Sequence, residues 1–314
     1  MASSRQSTRR EPKAWQLADC PGSLEVAAAE SFCRILAERH YENFTVASRL
    51  VPATVRQDLA NIYAFARWAD DLADESSCPE EAIAGLADWR SRLGRVETGT
   101  PDHPVFVGLA QTVRRHSLPI EPFHHLLDAF EQDQSKTRYE SRAELMAYCR
   151  LSANPVGRLV LGLAGCREPS AIGQSDSICT GLQLVNFWQD IVRDRRAGRI
   201  YVPRADMARH GVLESDFDRP EASQSVRYLV QDLVTWAREC FDAGSDLLLT
   251  VPKSFRPAVG LFIGGGRAVA DAIRRQGFDT LRSRPVVSRV TKARLVSIAF
   301  VGRWWRSFAV RSSR

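Results

Sequence analysis

Two pairs of acidic residues are the side chains in this sequence whose type and spacing most clearly predict chemistry. Asp70 and Asp74 are four residues apart in the segment ADDLADE, and Asp190 and Asp194 are four apart in NFWQDIVRD. On a helix this spacing places both carboxylates of a pair on one face, where they repel each other unless a cation lies between them. Each pair is therefore a candidate ligand set for a divalent metal. The alternative for the first pair is a solvated helix end whose charge is partly offset by Arg67.

The second pair belongs to a longer polar stripe. At about 100° per residue, Gln183, Asn186, Asp190 and Asp194 fall on one side of a helix. The residues between them are apolar, so this helix lies against the core and the stripe must face partners, water or a cavity. Buried carboxylates need a metal, an Arg or Lys, or a charged ligand. Two such helices would form a site of oxygen ligands suited to Mg²⁺ completed by ligand phosphates.

The elements that position these residues are predicted to be helices throughout. Apolar residues recur with helical periodicity in ten segments, strand-like alternation is nearly absent, and Pro and Gly fall between the segments. The pattern predicts an all-α single domain of about ten helices, at residues 24–39, 54–75, 80–96, 103–116, 120–131, 142–165, 175–195, 222–248, 255–276 and 288–309. We divide the chain into a disordered basic tail (1–20), the domain (21–299) and a basic aromatic C-terminal segment (300–314).

The glycines at 264–266 lack the lysine and preceding strand of a phosphate loop, so close helix packing or a helix break is expected there.

The composition of the chain limits which binding partners and which cellular compartment are expected. The chain has 314 residues and a net charge of +6, and the surplus is concentrated at the two ends. This pattern argues against a nucleic-acid groove and favours solvated tails or an anionic membrane surface. Seven scattered cysteines without zinc-ligand spacing predict reduced thiols, and no apolar run is long enough to span a bilayer. We therefore expect a cytoplasmic protein, with any membrane contact peripheral and on the inner face.

The two acidic motifs together resemble the squalene/phytoene synthase family of trans-isoprenyl diphosphate enzymes. The order, spacing and flanks of DDLADE and NFWQDIVRD, the latter running into RRAGRIYVP, match that family over about residues 24–290. The resemblance implies helices around a central, deep apolar cavity, with the two motifs facing each other across its mouth. It also implies two adjacent prenyl-chain sites, and two or three Mg²⁺ ions that bind the diphosphate of a prenyl diphosphate substrate.

Three stretches resemble the hopanoid-associated hydroxysqualene synthase (HpnC) branch of that family: ENFTVASRLVP at 42–52, YCRLSANPVGR at 148–158, and NFWQD at 186–190. Gln189 stands where the condensing relatives usually carry Arg, and Asn154 stands where they usually carry Gly. These differences suit an enzyme that catalyses only one half of the two-step squalene reaction. Presqualene diphosphate would lose diphosphate, the cyclopropylcarbinyl cation would rearrange, and water would capture it to give hydroxysqualene.

The resemblance assigns roles to individual residues. The metal ligands are Asp70, Asp74, Asn186, Asp190 and Asp194, and Tyr201 joins these five as a catalytic residue. The substrate-binding set is Phe44, Ser48, Arg49, Tyr63, Arg67, Tyr148, Asn154, Gln183, Gln189 and Arg199. Within this set, the three arginines are candidate clamps on the diphosphate, with ordinary surface ion pairs as the alternative. The polar groups of Asn154 and Gln183 are candidates to orient the water. Most nearby aromatic residues are expected to be core packing.

Three other functions remain open at this point. A head-to-head synthase making presqualene diphosphate, squalene or phytoene from two prenyl diphosphates would use the same metal site. A catalytically silent scaffold is disfavoured, because both acidic motifs are intact. Reduction with NADPH is not expected, because no nucleotide-binding fingerprint occurs. Downstream pathway enzymes are possible partners, and nucleic acid is not.

Overall fold

A computed structural model describes residues 26–40 and 49–299 of the chain, and its secondary structure there is helical with no strands. The predicted all-α class is confirmed. The α-helices are α1 Val26–His40, α2 Arg56–Asp74, α3 Pro79–Thr98, α4 Pro104–His116, α5 Glu121–Asp133, α6 Arg142–Ser152, α7 Asn154–Leu163, α8 Pro169–Gln189, α9 Ile191–Arg196, α10 Arg204–Arg209, α11 Gln224–Gly244, α12 Leu247–Thr250 and α13 Arg256–Arg275. Residues 289–299 form a further helical segment, α14, and Ala53–Val55 and Glu214–Asp218 are short 3₁₀ helices.

Three of the predicted helices are each divided in two. The segment predicted at 142–165 breaks at Ala153, because Pro155 occupies the first turn of α7 and cannot continue a helix from α6. The segment predicted at 175–195 starts earlier, at Pro169, and breaks at Asp190, whose φ and ψ of −108° and 15° are not helical. The segment predicted at 222–248 divides into α11 and α12. Of the segment predicted at 288–309, residues 300–309 lie outside the described residues.

The two acidic motifs are anchored in different parts of the core. On α2, the side chain of Phe65 is fully buried, and its ring lies 5.1 Å from Phe123 and 6.0 Å from Phe106. On α8, the Trp188 side chain is fully buried in a second apolar cluster formed mainly with α11 and the segment around Tyr201. Both helices are therefore held from behind by aromatic packing, and their polar faces are left for the site.

Close contacts with glycine fix the position of α8. The ring of Phe241 on α11 lies against Gly181 of α8 and Gly266 of α13, and a Cβ atom at Gly266 would overlap that ring. A Cβ atom at Gly181 would lie 3.0 Å from Cε1 of the same ring. Helix α13 continues through all three glycines at 264–266, so no break occurs; the expected close packing is found at Gly264 and Gly266, whereas a Cβ atom at Gly265 would meet open space.

Two expectations from the sequence, reduced cysteines and the absence of a membrane-spanning segment, can be compared with the described residues. The six cysteines there are all free thiols. In the same part of the chain, no helix combines the length and the apolar character needed to cross a bilayer.

Candidate functional site

The first acidic cluster lies in the last turns of α2. A guanidinium nitrogen of Arg67, Nη1, is 2.9 Å from Oδ2 of Asp70, and Nη2 contacts Asp71. Burial, and next the negative charge of Asp74, raise the pKa of Asp70 to about 6. The C-terminal end of a helix also carries partial negative charge, which adds to the repulsion among these carboxylates. The contacts with Arg67 offset only part of this repulsion. A further positive charge nearby would therefore stabilise the cluster.

The second acidic cluster spans the junction of α8 and α9. Asp190 is the non-helical residue between the two helices, and its backbone N–H donates to the carbonyl of Asn186 at 3.0 Å. Asp194 lies on α9, where burial, and next the charge of Asp190, raise the pKa of its carboxyl to about 7. The predicted stripe is therefore not on one continuous helix. Of its other members, Gln183 is half-buried and Asn186 is exposed.

Arg199 connects the two clusters. Its Nη2 is 3.9 Å from Oδ1 of Asp74, and its backbone N–H donates to the carbonyl of Asp194 at 2.8 Å. Its positive charge lowers the pKa of Asp70 and also that of Asp194, against the stronger effect of burial on both. The structure thus brings the two acidic motifs, which are about 120 residues apart in the sequence, close to one residue, Arg199.

A second arginine, Arg284, binds the carboxylate of Asp190 at the end of α8. Its Nε contacts Oδ1 of Asp190, and its Nη2 lies 3.0 Å from Oδ2 of the same carboxylate and 3.1 Å from Oε1 of Gln189. The amide nitrogen of Gln189 donates to the carbonyl of Pro285. Both polar atoms of the buried Gln189 side chain are therefore used to hold the segment that carries Arg284.

A third carboxylate, Asp133 at the end of α5, lies near the first cluster and Arg199. Its Oδ2 accepts a hydrogen bond of 2.7 Å from the hydroxyl of Tyr148. Its Oδ1 is buried and has no hydrogen-bond partner within the described residues. Burial raises the pKa of Asp133 to about 6, although Tyr148 and the charge of Arg199 act in the opposite direction.

Aromatic rings form a stack beside these charged groups. The rings of Phe187 and Tyr201 are parallel within 11°, with centroids 3.9 Å apart, and Tyr148 lies 5.9 Å from Tyr201. Burial raises the pKa of the hydroxyl of Tyr201 and of Tyr148, so both phenols stay protonated over the physiological pH range. This stack is an apolar wall that carries hydroxyl groups.

A small pocket opens between the stack and α9, and its lining combines apolar and charged side chains. The lining residues are Phe187, Ile191, Asp194, Arg199, Ile200, Tyr201 and Val202. Its cavity volume is about 10 Å³, room for about one water molecule, whereas about 300–1,000 Å³ is usual for ligand sites. The deep apolar cavity implied by the resemblance stays a prediction.

The remaining predicted site residues have varied positions. Asn154 is buried at the start of α7, where its Oδ1 accepts a 3.0 Å hydrogen bond from the hydroxyl of Thr180. Tyr63 is half-buried on α2, and Arg49 is exposed, with its backbone carbonyl accepting from Arg56 at 3.1 Å. Phe44 and Ser48 lie outside the described residues. Neither Asn154 nor Gln189 lines the pocket described above, and the roles of Asn154 and Gln183 toward water stay predictions.

The fit of a divalent cation depends on the donor set. Among residues 26–40 and 49–299, no three His, Cys, Asp or Glu side chains lie close enough together to hold a metal ion by themselves. The available donors are carboxylates and an amide, which suit a hard cation that takes part of its coordination shell from phosphate or water. Burial raises the pKa of Asp70 and Asp194, and Oδ1 of Asp133 has no hydrogen-bond partner among the described residues, so a nearby cation would stabilise the ionised carboxylates. The residues present therefore fit Mg²⁺ bound together with a phosphate ligand.

Two residues of this region, Asp133 and Arg284, were not singled out from the sequence. Asp133 has no acidic partner at helical spacing, and its contact with Tyr148 depends on how α5 packs against α6. Arg284 lies in a stretch, residues 280–299, that contains five basic and no acidic residues. This excess of basic over acidic residues could have pointed to the segment from the sequence alone, because a basic segment without acids needs counter-charges elsewhere in the fold.

Comparison with known proteins agrees with this geometry. The family model for squalene/phytoene synthase matches residues 37–291. A phytoene synthase from Arthrospira platensis is 27% identical over 280 residues, which cover 85% of this chain and 91% of the relative. A hydroxysqualene synthase from Zymomonas mobilis is 39% identical over 195 residues, which cover 60% of this chain and 64% of the relative.

Solved structures of squalene and dehydrosqualene synthases also match this chain. The crystal structure of squalene synthase HpnC from Alicyclobacillus acidocaldarius matches with a TM-score of 0.78 and 40% identity, covering 81% of this chain and 95% of that one. A dehydrosqualene synthase crystallised with a ligand matches with a TM-score of 0.80 at 23% identity, covering 90% of this chain and 98% of that one, which shows a common fold. With the family model matched over most of the chain and both acidic motifs gathered around Arg199, this protein belongs to the squalene/phytoene synthase family of head-to-head prenyl synthases.

Proposed function

We propose that the protein converts presqualene diphosphate and water into hydroxysqualene and diphosphate, with Mg²⁺ as its cofactor and without NADPH. The observation that carries this proposal is the 40% identity to the HpnC structure over 95% of that chain. The 39% identity to a hydroxysqualene synthase over part of the chain supports it. The motif NFWQD, in which Gln189 replaces the usual Arg, points in the same direction.

The metal would be held by the oxygen atoms of the two acidic motifs, from Asp70, Asp74, Asn186, Asp190 and Asp194. Bound there with the substrate, two or three Mg²⁺ ions would neutralise the negative charge that develops on the leaving diphosphate. The burial that raises the pKa of Asp70 and Asp194 makes their ionised forms costly without a neighbouring cation. These carboxylates are therefore suited to binding a cation together with its phosphate ligand.

Arginines would bind the diphosphate. Arg199 lines the pocket, its Nη2 is 3.9 Å from Asp74 and its backbone N–H donates to Asp194, so a diphosphate bound by both motifs would meet its guanidinium group. Arg67 is held by Asp70 and Asp71, with about a quarter of its side chain exposed. Guanidinium groups bind phosphate oxygens through two parallel hydrogen bonds, which fixes the orientation of the leaving group.

The aromatic stack would protect the carbocation. Once diphosphate leaves, the cation must be kept from stray water and stabilised by the faces of aromatic rings. Phe187 and Tyr201 line the pocket with their rings parallel, next to the charged groups that would hold the diphosphate. The cation would then form beside π-electron density, with a single water admitted to the reacting carbon.

The location proposed for the protein is the cytoplasm, at the inner face of the membrane. Free cysteines in the described residues fit a reducing compartment. The substrate and the product are both apolar, and the basic residues near the C-terminus would bring the protein to an anionic surface. Enzymes that use hydroxysqualene are the proposed pathway partners.

A second candidate function is the condensation of two prenyl diphosphates. It is favoured by the phytoene synthase from Arthrospira platensis, whose similarity extends over more of this chain than that of the hydroxysqualene synthase. Both functions require the same acidic motifs. They differ in whether the first substrate is presqualene diphosphate or two molecules of a prenyl diphosphate.

The test compares substrates directly. The purified protein is incubated with Mg²⁺ and presqualene diphosphate, or with farnesyl or geranylgeranyl diphosphate, in water enriched in ¹⁸O and without NADPH. We expect hydroxysqualene carrying ¹⁸O from presqualene diphosphate only. Release of presqualene diphosphate or phytoene from the shorter substrates would establish the second candidate instead. An EDTA-treated sample should release no diphosphate, and activity in that sample would contradict the metal assignment.

A further inference from the structure

Ser152, the last residue of α6, carries a buried hydroxyl group without a hydrogen-bond partner in the described part of the chain. A serine in a helix commonly donates to the carbonyl four residues earlier, as Ser177 does to Gly173 at 3.0 Å. The hydroxyl of Ser152 makes no such bond. A buried and unsatisfied hydroxyl group costs free energy. A water molecule next to this oxygen would remove that cost.

Two contacts determine which part of α8 lies opposite Ser152. Before it in the chain, the ring of Tyr148 lies 6.2 Å from the ring of Phe187. After it, Oδ1 of Asn154 accepts a hydrogen bond of 3.0 Å from Thr180. The chain therefore runs antiparallel to α8 between these contacts. Ser152 lies opposite the stretch of α8 between Thr180 and Phe187.

Gln183 is the polar residue of α8 at this level. Interpolation between the two contacts leads to residues 182 and 183, and Leu182 packs with the apolar clusters. Gln183 is half-buried. At about 100° per residue, it falls within about 60° of Thr180 and about 40° of Phe187 around the helix axis. Its amide group therefore lies on the side of α8 that faces the end of α6.

The level of Ser152 and Gln183 lies inward from the acidic motifs. Asp190, which ends α8, comes about two turns after Gln183. Tyr148 lies one turn before Ser152, at the level of the aromatic stack, with its ring 5.9 Å from Tyr201. The acidic motif, the stack and the Ser152 hydroxyl thus follow one another along α8. Carbon chains of a diphosphate bound at the motifs would extend in this direction.

We propose that the hydroxyl group of Ser152, with the amide of Gln183 opposite it, holds the water molecule that captures the carbocation. The inference rests on the proposed function, because it assigns the position of the water in that reaction. A buried water commonly has about two to four polar partners, and a hydroxyl and an amide together offer it both donors and acceptors. A lone pair of that water would remain for the cationic carbon.

The other polar groups of this region have their oxygen atoms engaged. Oδ1 of Asn154 accepts from Thr180, which fixes the start of α7 next to Ser152. Both polar atoms of Gln189 hold the segment that carries Arg284. The hydroxyl of Ser152 keeps both its proton and its lone pairs for a water molecule.

Capture of this water conserves atoms and electrons without an oxidant or a reductant. Diphosphate has already left with the electron pair of its C–O bond. A lone pair of the water held by Ser152 forms the new C–O bond. One O–H bond of that water breaks, its electron pair stays on oxygen, and its proton passes to an oxygen of the released diphosphate. The products are the alcohol and protonated diphosphate, and Ser152 is unchanged.

The experiment measures how the carbocation partitions between water and proton loss, which yields alkenes. Variants are compared with the unchanged protein, using presqualene diphosphate, Mg²⁺ and water enriched in ¹⁸O. The readout is the ratio of ¹⁸O-labelled hydroxysqualene to alkene products per diphosphate released. Ser152→Val and Ser152→Thr are the matched pair, because the two side chains have the same shape and only threonine carries a hydroxyl. Ser177→Ala is the control, since its own helix satisfies that hydroxyl.

We expect Ser152→Ala to lower the ratio about fivefold to tenfold, the factor for one lost hydrogen bond. Ser152→Val should lower it at least as much, because its methyl group takes the place of the water. Ser152→Thr should keep most of the alcohol, and Ser177→Ala should not change the ratio. Gln183→Leu should lower the ratio in the same direction as Ser152→Ala.

Two further readouts distinguish a water site from a packing role. The rate of diphosphate release should be unchanged in the three Ser152 variants, because ionisation precedes capture. Ser152→Ala removes an unsatisfied hydroxyl and leaves no partner unpaired, so it should melt no earlier than the unchanged protein. Earlier melting of Ser152→Ala with an unchanged product ratio would show a packing role and overturn the water site.

The outcomes separate the two hypotheses. If the unchanged protein makes hydroxysqualene but Ser152→Ala and Ser152→Val keep its product ratio, the water site is wrong and the proposed function stands. If the unchanged protein makes no hydroxysqualene from presqualene diphosphate, the proposed function fails and the water site fails with it. Equal ratios for Ser152→Val and Ser152→Thr would also overturn the water site, because the shape of the side chain would then set the product.

Discussion

The guanidinium group of Arg284 contacts both carboxylate oxygens of Asp190, a residue 94 positions earlier in the sequence. The same guanidinium donates to Gln189, which in turn holds the backbone at Pro285. The segment after α13 is thereby fastened to the second acidic motif. Any cation that binds Asp190 must share its oxygen atoms with Arg284 or displace it.

The first prediction follows from this competition. Arg284→Gln should bind Mg²⁺ about two to five times more tightly in the absence of substrate, the range expected for an exposed ion pair. Isothermal titration calorimetry of the two proteins measures the difference. Arg282→Gln, an exposed arginine two residues earlier, is the control and should leave the affinity unchanged. Weaker binding in Arg284→Gln would show that the arginine and the metal cooperate instead.

The second prediction concerns the metal ligands themselves. Asp70→Asn and Asp190→Asn should each reduce diphosphate release from the substrate at least a hundredfold, because each removes an oxygen donor for the cation. Each should change the thermal midpoint measured without metal only slightly, because the relief of repulsion within its cluster offsets the weakened ion pair with Arg67 or Arg284. Full turnover in either variant contradicts the assignment, and Asp128→Asn, which changes a carboxylate paired with Arg90 at 2.7 Å, serves as the surface control.

The third prediction is a pH dependence of stability. The folded protein raises the pKa of Asp194 to about 7, from an ordinary value of 3.8. The stabilisation from proton uptake is therefore complete below pH 3.8 and is lost as the pH rises through about 7. Asp194→Asn, which imitates the neutral acid, should exceed the unchanged protein in stability at pH 8 by ~1 kcal/mol after solvent screening, or about 2–4 °C.

This advantage of Asp194→Asn should shrink as the pH falls below 7 and disappear below about 4. Thermal melts in EDTA over this range measure it. A difference that is the same at pH 8 and at pH 5 would mean that the carboxyl of Asp194 is not strained in the folded protein.

The fourth prediction separates two roles of Asn154. Asn154→Gly should shift the products toward dehydrosqualene-like alkenes if this amide orients the capturing water. Thr180→Val removes only the hydroxyl that donates to Asn154 at 3.0 Å, so it should cause a smaller shift in the same direction. Product analysis by mass spectrometry distinguishes this from simple packing, in which both variants melt earlier and neither changes the products.

The fifth prediction concerns attachment to membranes. Residues 300–314 add four arginines and several aromatic side chains, and α14 before them exposes Val290 and Ile298 beside basic residues. The full chain should float with anionic liposomes and not with neutral ones. Deleting residues 300–314 should reduce that binding. Equal flotation before and after the deletion would rule out this segment as the anchor.

The sequence predicted those parts of the site that depend on local periodicity. The pairing of Arg67 with Asp70 and Asp71 follows from helical spacing alone, and the structure confirms it. The break at Asp190 was missed, because NFWQDIVRD has no Pro or Gly to interrupt a helix. Asp133 and Arg284 could not be assigned, since their partners are brought to them by tertiary packing.

The break at Asp190 gives the two acidic motifs different mechanical properties. Asp70 and Asp74 lie on one continuous helix, so the distance between their backbones is fixed by helical geometry. Asp190 ends a long helix held against Phe241 through Gly181, whereas Asp194 belongs to the six-residue α9. A small tilt of α9 would change the separation of Asp190 and Asp194, and Ile191 is the one residue of α9 that it would move within the buried core. One side of the site therefore has a fixed spacing of carboxylates, and the other side has a spacing that can adapt to the ligand.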